Sequence, residues 1–266
     1  MPDVPASAVA ASTLLPVNAT LAAVLVALLL VAAAVAAVFR LAPDASWRRA
    51  RDIVVAGVRA ALQLAVVSLV IGWVVGHGAA LLGFVLLMFA VAARTAGRRI
   101  TPGRGWAWAA LPIAVPVAPV VGTLVGCGLV PVQGIALIPI TGILIGGALT
   151  ATVLAGRRAL DELTARRGEV EACLAIGLLP HEARLEIARP AASDALLPGL
   201  DQTRTVGLVT LPGAFVGMLL GGASPVMAGA VQLFVLVALL AVQAIAVATT
   251  VELVARGHLR RPPAGA

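Results

Sequence analysis

The sequence predicts an all-α fold, a polytopic bundle of about seven transmembrane helices. Hydrophobic residues make up 61% of the 266 residues and charged residues only 12%, whereas soluble domains are about half apolar and a quarter charged. The apolar residues are grouped into stretches of about 20, the length that crosses the hydrocarbon core of a bilayer as a helix. Basic residues are concentrated in every second connection between these stretches, which is typical of a polytopic membrane protein.

The predicted spans follow an extracytoplasmic tail, residues 1–20, that contains no Lys or Arg. The first span therefore lacks the positive region of a signal peptide, and we expect it to be retained. Pro112, Pro116 and Pro119 predict a kink in the fourth span. The seven spans make up one transmembrane domain, residues 21–255, and are residues 21–39, 53–75, 78–93, 106–130, 132–155, 206–222 and 226–254.

The arginines predict the orientation of the bundle. They follow the first, third, fifth and seventh spans, whereas the connections near His77, Pro131 and Ala223 carry none. By the positive-inside rule the N-terminus lies outside the cytoplasm. The one long polar loop, residues 156–205, and the C-terminal tail, residues 256–266, are then cytoplasmic.

Composition also bears on several kinds of chemistry. The net charge of +7 is dispersed over short loops with few aromatic residues, so we expect no nucleic-acid partner. Lys is absent, so a Walker A nucleotide site cannot form in this chain. No group of Cys, His, Asp and Glu has metal-ligand spacing, and neither HExxH nor GxSxG occurs. We therefore predict no metal site, no cofactor and no enzymatic activity in this chain.

Three features of the spans have a bearing on function or packing. Arg59 and Gln63 lie four apart on one face of the second span, and they either face a cavity or reach the cytoplasmic interface. Glu252 precedes Arg256 by four residues, the favourable order for an ion pair on a helix, and we interpret this pair as mainly structural. Small residues at a spacing of four allow close helix packing within one chain or between two copies. They are Gly142 and Gly146, and then Gly213, Gly217 and Gly221.

The segment from Glu171 to Pro190 resembles the EAA loop of ABC transporter permeases, with Cys173 and Arg189 as departures. Gly177 can end one helix in a left-handed conformation, and Pro180 suits the first turn of the next. Two short helices at such a turn form a rigid knob on which an ATPase could push. The alternative is a solvated pair of charged helices. The coupling residues predicted on this pattern are Glu171, Ala172, Gly177, Pro180, Ile187 and Pro190.

A wider resemblance covers residues 53–255, which are similar to the FetB-type family of ABC permeases. That family is linked to iron export in bacteria and, in plant relatives, to aluminium tolerance. Ile143, Gly147 and Leu149 depart from its pattern, which has Met, Asn and Met at these positions. The segments that carry the resemblance are Gly57–Leu64, Arg94–Arg99, Val130–Leu149 and Leu200–Ala228.

The resemblance implies the membrane subunit of an ABC transporter in the plasma (inner) membrane of a bacterium, exporting a metal ion such as iron. It implies a homodimer in the lipid bilayer, with separate ATPase subunits that bind ATP and Mg. Family-signature positions are expected in the transport path or its gate, beside the polar pair of the second span. These candidates are Arg59, Gln63, Pro139, Gly142, Gly146, Asp201, Thr205, Gly207, Pro212 and Gly213.

Two other functions are open alternatives. A secondary transporter driven by an ion gradient commonly uses an ionisable residue deep in the membrane, and here only Arg59 and Glu252 approach that position. An intramembrane enzyme needs a catalytic constellation within the spans, and the sequence shows no such pattern.

Overall fold

The computed structural model describes residues 18–41, 46–101, 104–128 and 134–261. Residues 1–17 of the predicted N-terminal tail, residues 262–266 of the C-terminal tail and the connection at Pro131 therefore lie outside the described residues. The described chain is almost entirely helical, and six of its helical segments are long and apolar enough to cross a membrane. The predicted polytopic helix bundle is thereby confirmed. The helices are α1 (Ala19–Val38), α2 (Ser46–Val75), α3 (Gly78–Ile100), α4 (Leu111–Gly126), α5 (Gly134–Ala165), α6 (Arg167–Ala175), α7 (Pro180–Ser193), α8 (Leu197–Thr205), α9 (Gly213–Leu220) and α10 (Pro225–Ala255).

Local capping explains where two of the long helices begin. The backbone N–H of Leu21 donates to Asn18 Oδ1 over 3.0 Å at the start of α1. At the start of α10, the N–H of Met227 donates to Ser224 Oγ over 3.3 Å. Pro225 then occupies the first helical position of α10, where its missing N–H is not needed. A 3₁₀ helix, Arg104–Ala110, lengthens α4 into a membrane-length segment, Gly105–Gly126.

The described chain divides into two compact units. The first contains α1, α2 up to Trp73, and Leu220–Ala223. Within it α1 and α2 approach closely at Gly57, where an added Cβ would lie 2.7 Å from Leu29 Cδ1.

The second unit contains Val74–Leu219 and the chain from Ser224 onward. Its centre is α5, which packs against α3, α4, α7 and α10. The interior is built largely from alanine, which lets the helix backbones approach each other. One close backbone approach joins Gly97 of α3 to the 3₁₀ helix, where an added Cβ would lie 2.2 Å from the carbonyl oxygen of Trp106.

The two longest helices, α5 and α10, run parallel. Gly147 of α5 faces Leu239 and Gln243 of α10. Near the carboxyl ends of the same helices, Arg261 NH1, just past α10, lies 2.6 Å from Asp161 Oδ1 in the last turns of α5. The chain that leaves α5 must therefore return through the bundle before α10 begins.

A broken segment makes this return. Gly199 of α8 lies directly against Gln243, a residue well inside α10. A Cβ added to Gly199 would be only 2.0 Å from Gln243 Oε1. The chain then passes Gln232, closer to the start of α10, as residues 206–215. The last part of the predicted loop 156–205 thus runs beside α10 and not beyond its end.

The structure differs from the prediction at the sixth span, residues 206–222. A continuous span is replaced by a tight turn, in which Gly207 has φ +83°, followed by the eight-residue helix α9. Eight residues of helix measure about 12 Å, well short of a hydrocarbon core of about 30 Å. Gly207 and Pro212 explain the break, since one favours a left-handed turn and the other supplies no N–H to a helix.

Candidate functional site

The segment predicted to couple to an ATPase folds as a helical hairpin, here called the polar hairpin: α6, a turn, and α7, residues 167–193. The N–H of Leu178 donates to the carbonyl of Cys173 over 3.1 Å, and the N–H of Gly177 to that of Leu174 over 3.0 Å. These bonds form a Schellman motif, which requires a left-handed residue. Gly177 supplies it with φ +99°.

The second helix of the hairpin starts directly after this turn. Pro180 is its first residue, and the side chain of Glu182 accepts a hydrogen bond from the N–H of Leu179 over 3.0 Å. Both features stabilise the positive end of a helix. The direction of the hairpin is therefore fixed by local chemistry on both sides of the turn.

The tip of the hairpin is apolar and exposed. Ile176 is 79% exposed and Leu179 63% exposed, and Leu174 is next to them in the last turn of α6 at 40%. Single exposed apolar residues are ordinary in proteins, but a group on a rigid turn is typical of a contact surface. Among the predicted coupling residues, Glu171, Ala172, Gly177 and Pro180 lie near this tip and are exposed.

The base of the hairpin is buried against the helix bundle. α7 packs on α5 and α10 through a face of small residues with one large side chain, Ile187, which is 4% exposed. Pro190 is exposed within α7. The predicted segment thus splits into an exposed tip and a buried base, a division that the sequence pattern does not indicate. The small residues of the buried face are Ala183, Ala188 and Ala192.

Two polar contacts tie the first turns of α7 to the end of α10. His181 Nε2 lies 3.0 Å from Glu252 Oε1, and Arg184 NH1 donates to the carbonyl oxygen of Ala255 over 3.1 Å. Arg256 Nε also donates to Glu252 Oε1, over 2.6 Å, so the predicted helical pair is present. Sequence reasoning assigned no function to His181 and missed its contact with Glu252.

Ion pairs stiffen the first helix of the hairpin. Arg167 Nε donates to Glu171 Oε1 over 3.0 Å. Just before α6, Arg166 pairs with Glu162 and Glu169. The hydrogen bond from Arg166 holds the pKa of the Glu169 carboxyl below its ordinary value. These groups are exposed or only half-buried, so we assign them local order and little stability.

The break in the predicted sixth span, residues 206–222, forms a second candidate site. A cleft of about 200 Å³ lies between residues 206–215 and the first turns of α10. Gln232 lines it, is 6% exposed, and its Oε1 accepts no hydrogen bond from any described residue. Broken helices that line a cavity are typical of the binding sites of membrane transporters.

The path and packing candidates are dispersed. Gly207 and Pro212 border the cleft at the break, and Thr205 ends α8 just before it. Thr205 Oγ1 donates to the carbonyl of Asp201, whose carboxylate lies 3.5 Å from Arg204.

The remaining glycine and proline candidates belong to α5 and α9 or lie just past α9. Gly142 approaches Met88 Cε on α3, whereas Pro139 and Gly146 are exposed on α5. Gly213 and Gly217 are exposed on α9 with no atom near an added Cβ, and Gly221 lies past its end.

Arg59 and Gln63 are both exposed on α2 and border one shallow groove of that helix. No cluster of three or more His, Cys, Asp or Glu side chains that could hold a metal ion occurs within residues 18–41, 46–101, 104–128 and 134–261.

Six membrane-length helical segments in the described residues define a polytopic α-helical membrane protein. The chain belongs to the family described as Uncharacterised protein family (UPF0014), whose sequence profile matches residues 19–259. No solved structure matches the chain.

Three relatives illustrate the family. The UPF0014 membrane protein STAR2 of Oryza sativa subsp. japonica is 35% identical over 182 residues, which are 67% of this chain and 64% of STAR2. Protein ALUMINUM SENSITIVE 3 of Arabidopsis thaliana is 36% identical over 182 residues, 67% of this chain and 66% of that protein. This chain thus spans just under two thirds of both plant relatives. The "Probable iron export permease protein FetB" of Escherichia coli (strain K12) is 32% identical over 106 residues, 40% of each chain.

Proposed function

We propose that this chain is the membrane subunit of an ABC transporter and that a separate ATPase subunit, which binds ATP and Mg, docks on the polar hairpin. The geometry of the hairpin is the main support: an exposed apolar tip on a rigid turn, joined to a base buried against the longest helices. Ile176 and Leu179 are the side chains that a complementary groove on the ATPase would cover.

In this mechanism, closure of the ATPase subunits pushes on the tip. α7 moves as a rigid body because its alanine face is close-packed, and small shifts of packed helices are transmitted without being absorbed. The contacts of His181 and Arg184 pass the movement to the end of α10. The cleft at the break, beside Gln232, opens or closes as α10 tilts.

The substrate we propose is a metal ion such as iron, moved outward across the inner membrane of a bacterium. Support comes from the similarity to FetB, which is named as an iron export permease, over 40% of the chain. A homodimer is part of the proposal, since ABC permeases work as pairs. The exposed small-residue face of α9, Gly213 and Gly217, is open to a second copy.

Co-purification from the native host tests the proposal. We expect a stoichiometric subunit with a Walker A motif to be recovered with the tagged chain in mild detergent and identified by mass spectrometry. The double substitution of Ile176 and Leu179 by Ser should lower its recovery about tenfold or more, because each buried apolar side chain contributes about 1.5–3 kcal/mol. Leu197→Ser, at a residue that is 48% exposed, is the matched control.

Other outcomes would contradict the proposal in different ways. Full recovery of the ATPase with the double variant would place its docking surface elsewhere. Partner-free protein in repeated preparations, together with transport that a proton uncoupler abolishes, would favour an ion-gradient transporter. Arg59 and Glu252 would then be the first residues to substitute.

A further inference from the structure

A second cleft, of about 270 Å³, lies at the carboxyl ends of α5 and α10, beside the first turns of α7. One part of its lining is apolar and consists of Leu160, Leu163, Val254 and Leu259. Leu160, Val254 and Leu259 are at least nine-tenths buried, so this wall is a fixed part of the interior. The other part is basic and consists of Arg184, Arg260 and Arg261.

The basic part carries more positive charge than its partners neutralise. Arg261 pairs with the carboxylate of Asp161, and Arg184 donates to the neutral carbonyl of Ala255. Arg260 is exposed and forms no ion pair with any residue in the described part of the chain. Three guanidinium groups thus face one carboxylate, and an anion in the cleft would balance the excess.

The cleft also lies at a particular depth along the helices. From Gly134 the first charged residue of α5 is Arg157, and from Pro225 the first of α10 is Glu252. The cleft begins within about one turn of both residues, where the apolar part of the bundle ends. This is the level at which lipid headgroups meet protein, and basic pockets between helix ends are known to bind such headgroups.

We propose that this cleft binds the phosphate of an anionic phospholipid. Guanidinium groups bind phosphate oxygens through several N–H donors at once, which suits Arg184, Arg260 and Arg261. The leucine and valine wall would cover the glycerol and the first methylenes of the chains, a contact that free phosphate cannot make. Since Arg184 belongs to α7, a lipid held here braces the polar hairpin against α5 and α10. The inference does not rest on the proposed function.

Native mass spectrometry of the full chain tests the inference. The protein is released from nanodiscs of phosphatidylcholine and phosphatidylglycerol in equal amounts, and the retained lipid is counted. We expect one phosphatidylglycerol per chain, held about fivefold more weakly by Arg260→Gln, because a basic residue near the surface contributes about 1 kcal/mol. Arg189→Gln removes the same charge from an exposed site on α7 and should bind like the unsubstituted chain.

Three results would overturn the inference. Equal retention by Arg260→Gln and the unsubstituted chain would mean that the cleft binds no lipid phosphate. An equal loss with Arg189→Gln would indicate only diffuse attraction to the surface. Thermal stabilisation by inorganic phosphate in phosphatidylcholine nanodiscs, without retained phosphatidylglycerol, would identify the ligand as a small anion instead of a lipid. Arg260 is chosen because, unlike Arg184, it makes no hydrogen bond that supports a helix end.

Discussion

His181 Nε2 lies 3.0 Å from Glu252 Oε1, and this contact joins two parts of the chain separated by 71 positions. His181 is in the first turn of α7, and Glu252 is in the last turn of α10. The same carboxylate oxygen accepts a hydrogen bond from Arg256. Glu252 therefore holds the first turn of α7 and the end of α10 in one arrangement.

This contact should be measurable as a coupling between the two residues. In a double-mutant cycle of His181→Ala and Glu252→Ala, we expect a coupling energy of about 0.5–1.5 kcal/mol in unfolding from detergent, the net contribution of a typical hydrogen bond. The control cycle pairs His181→Ala with Glu186→Ala, an exposed carboxylate of the same helix. A coupling energy near zero in the first cycle would mean that the hairpin and α10 are not energetically linked by this pair.

Gly177 is expected to be essential for the shape of the hairpin. An alanine held in the left-handed conformation of Gly177 costs about 1–2 kcal/mol. Gly177→Ala should therefore speed amide hydrogen exchange across the turn and weaken the coupling of ATP hydrolysis to transport. Gly168→Ala is the matched control, because Gly168 is helical with open space around it and Ala is the better helix former. Equal exchange in the two variants would argue against a turn held by glycine.

The close contact between α3 and the 3₁₀ helix gives a sharper stability test. A Cβ at Gly97 would lie 2.2 Å from the backbone oxygen of Trp106, which cannot move aside as a side chain can. We expect Gly97→Ala to lower the free energy of unfolding by about 1–3 kcal/mol, the usual cost of overpacking. Gly83→Ala, on the same helix with open space, should be neutral. A thermal midpoint unchanged by Gly97→Ala would contradict this packing.

The long helices could be predicted from sequence because length and apolarity determine them locally. The turn of the polar hairpin could also be predicted, since Gly177 and Pro180 act on their own neighbours. The position of α8 beside α10 was missed because Asp201, Gln202 and Thr203 make this segment polar, and polarity favours a loop. Gly207 and Pro212 were the available signal for the break.

Contacts between distant parts of the chain were not predictable in the same way. The sequence places Glu252 four residues before Arg256, and that pair follows from helix geometry alone. Its contact with His181 depends on how α7 packs against α10, which a single sequence does not encode as a local pattern. The buried position of Gln232 likewise depends on a chain segment that returns beside α10.

Gln232 offers a test that separates stability from transport. Its Oε1 is buried without a hydrogen bond from any described residue, and such a group costs about 1–3 kcal/mol. Gln232→Leu should therefore keep or raise the thermal midpoint while lowering transport in reconstituted vesicles, if the amide serves the substrate at the break. Thr152→Val also removes a buried hydroxyl without a described partner, but outside this cleft, and should leave transport unchanged. Wild-type transport by Gln232→Leu would assign the amide to packing alone and remove the cleft from the proposed path.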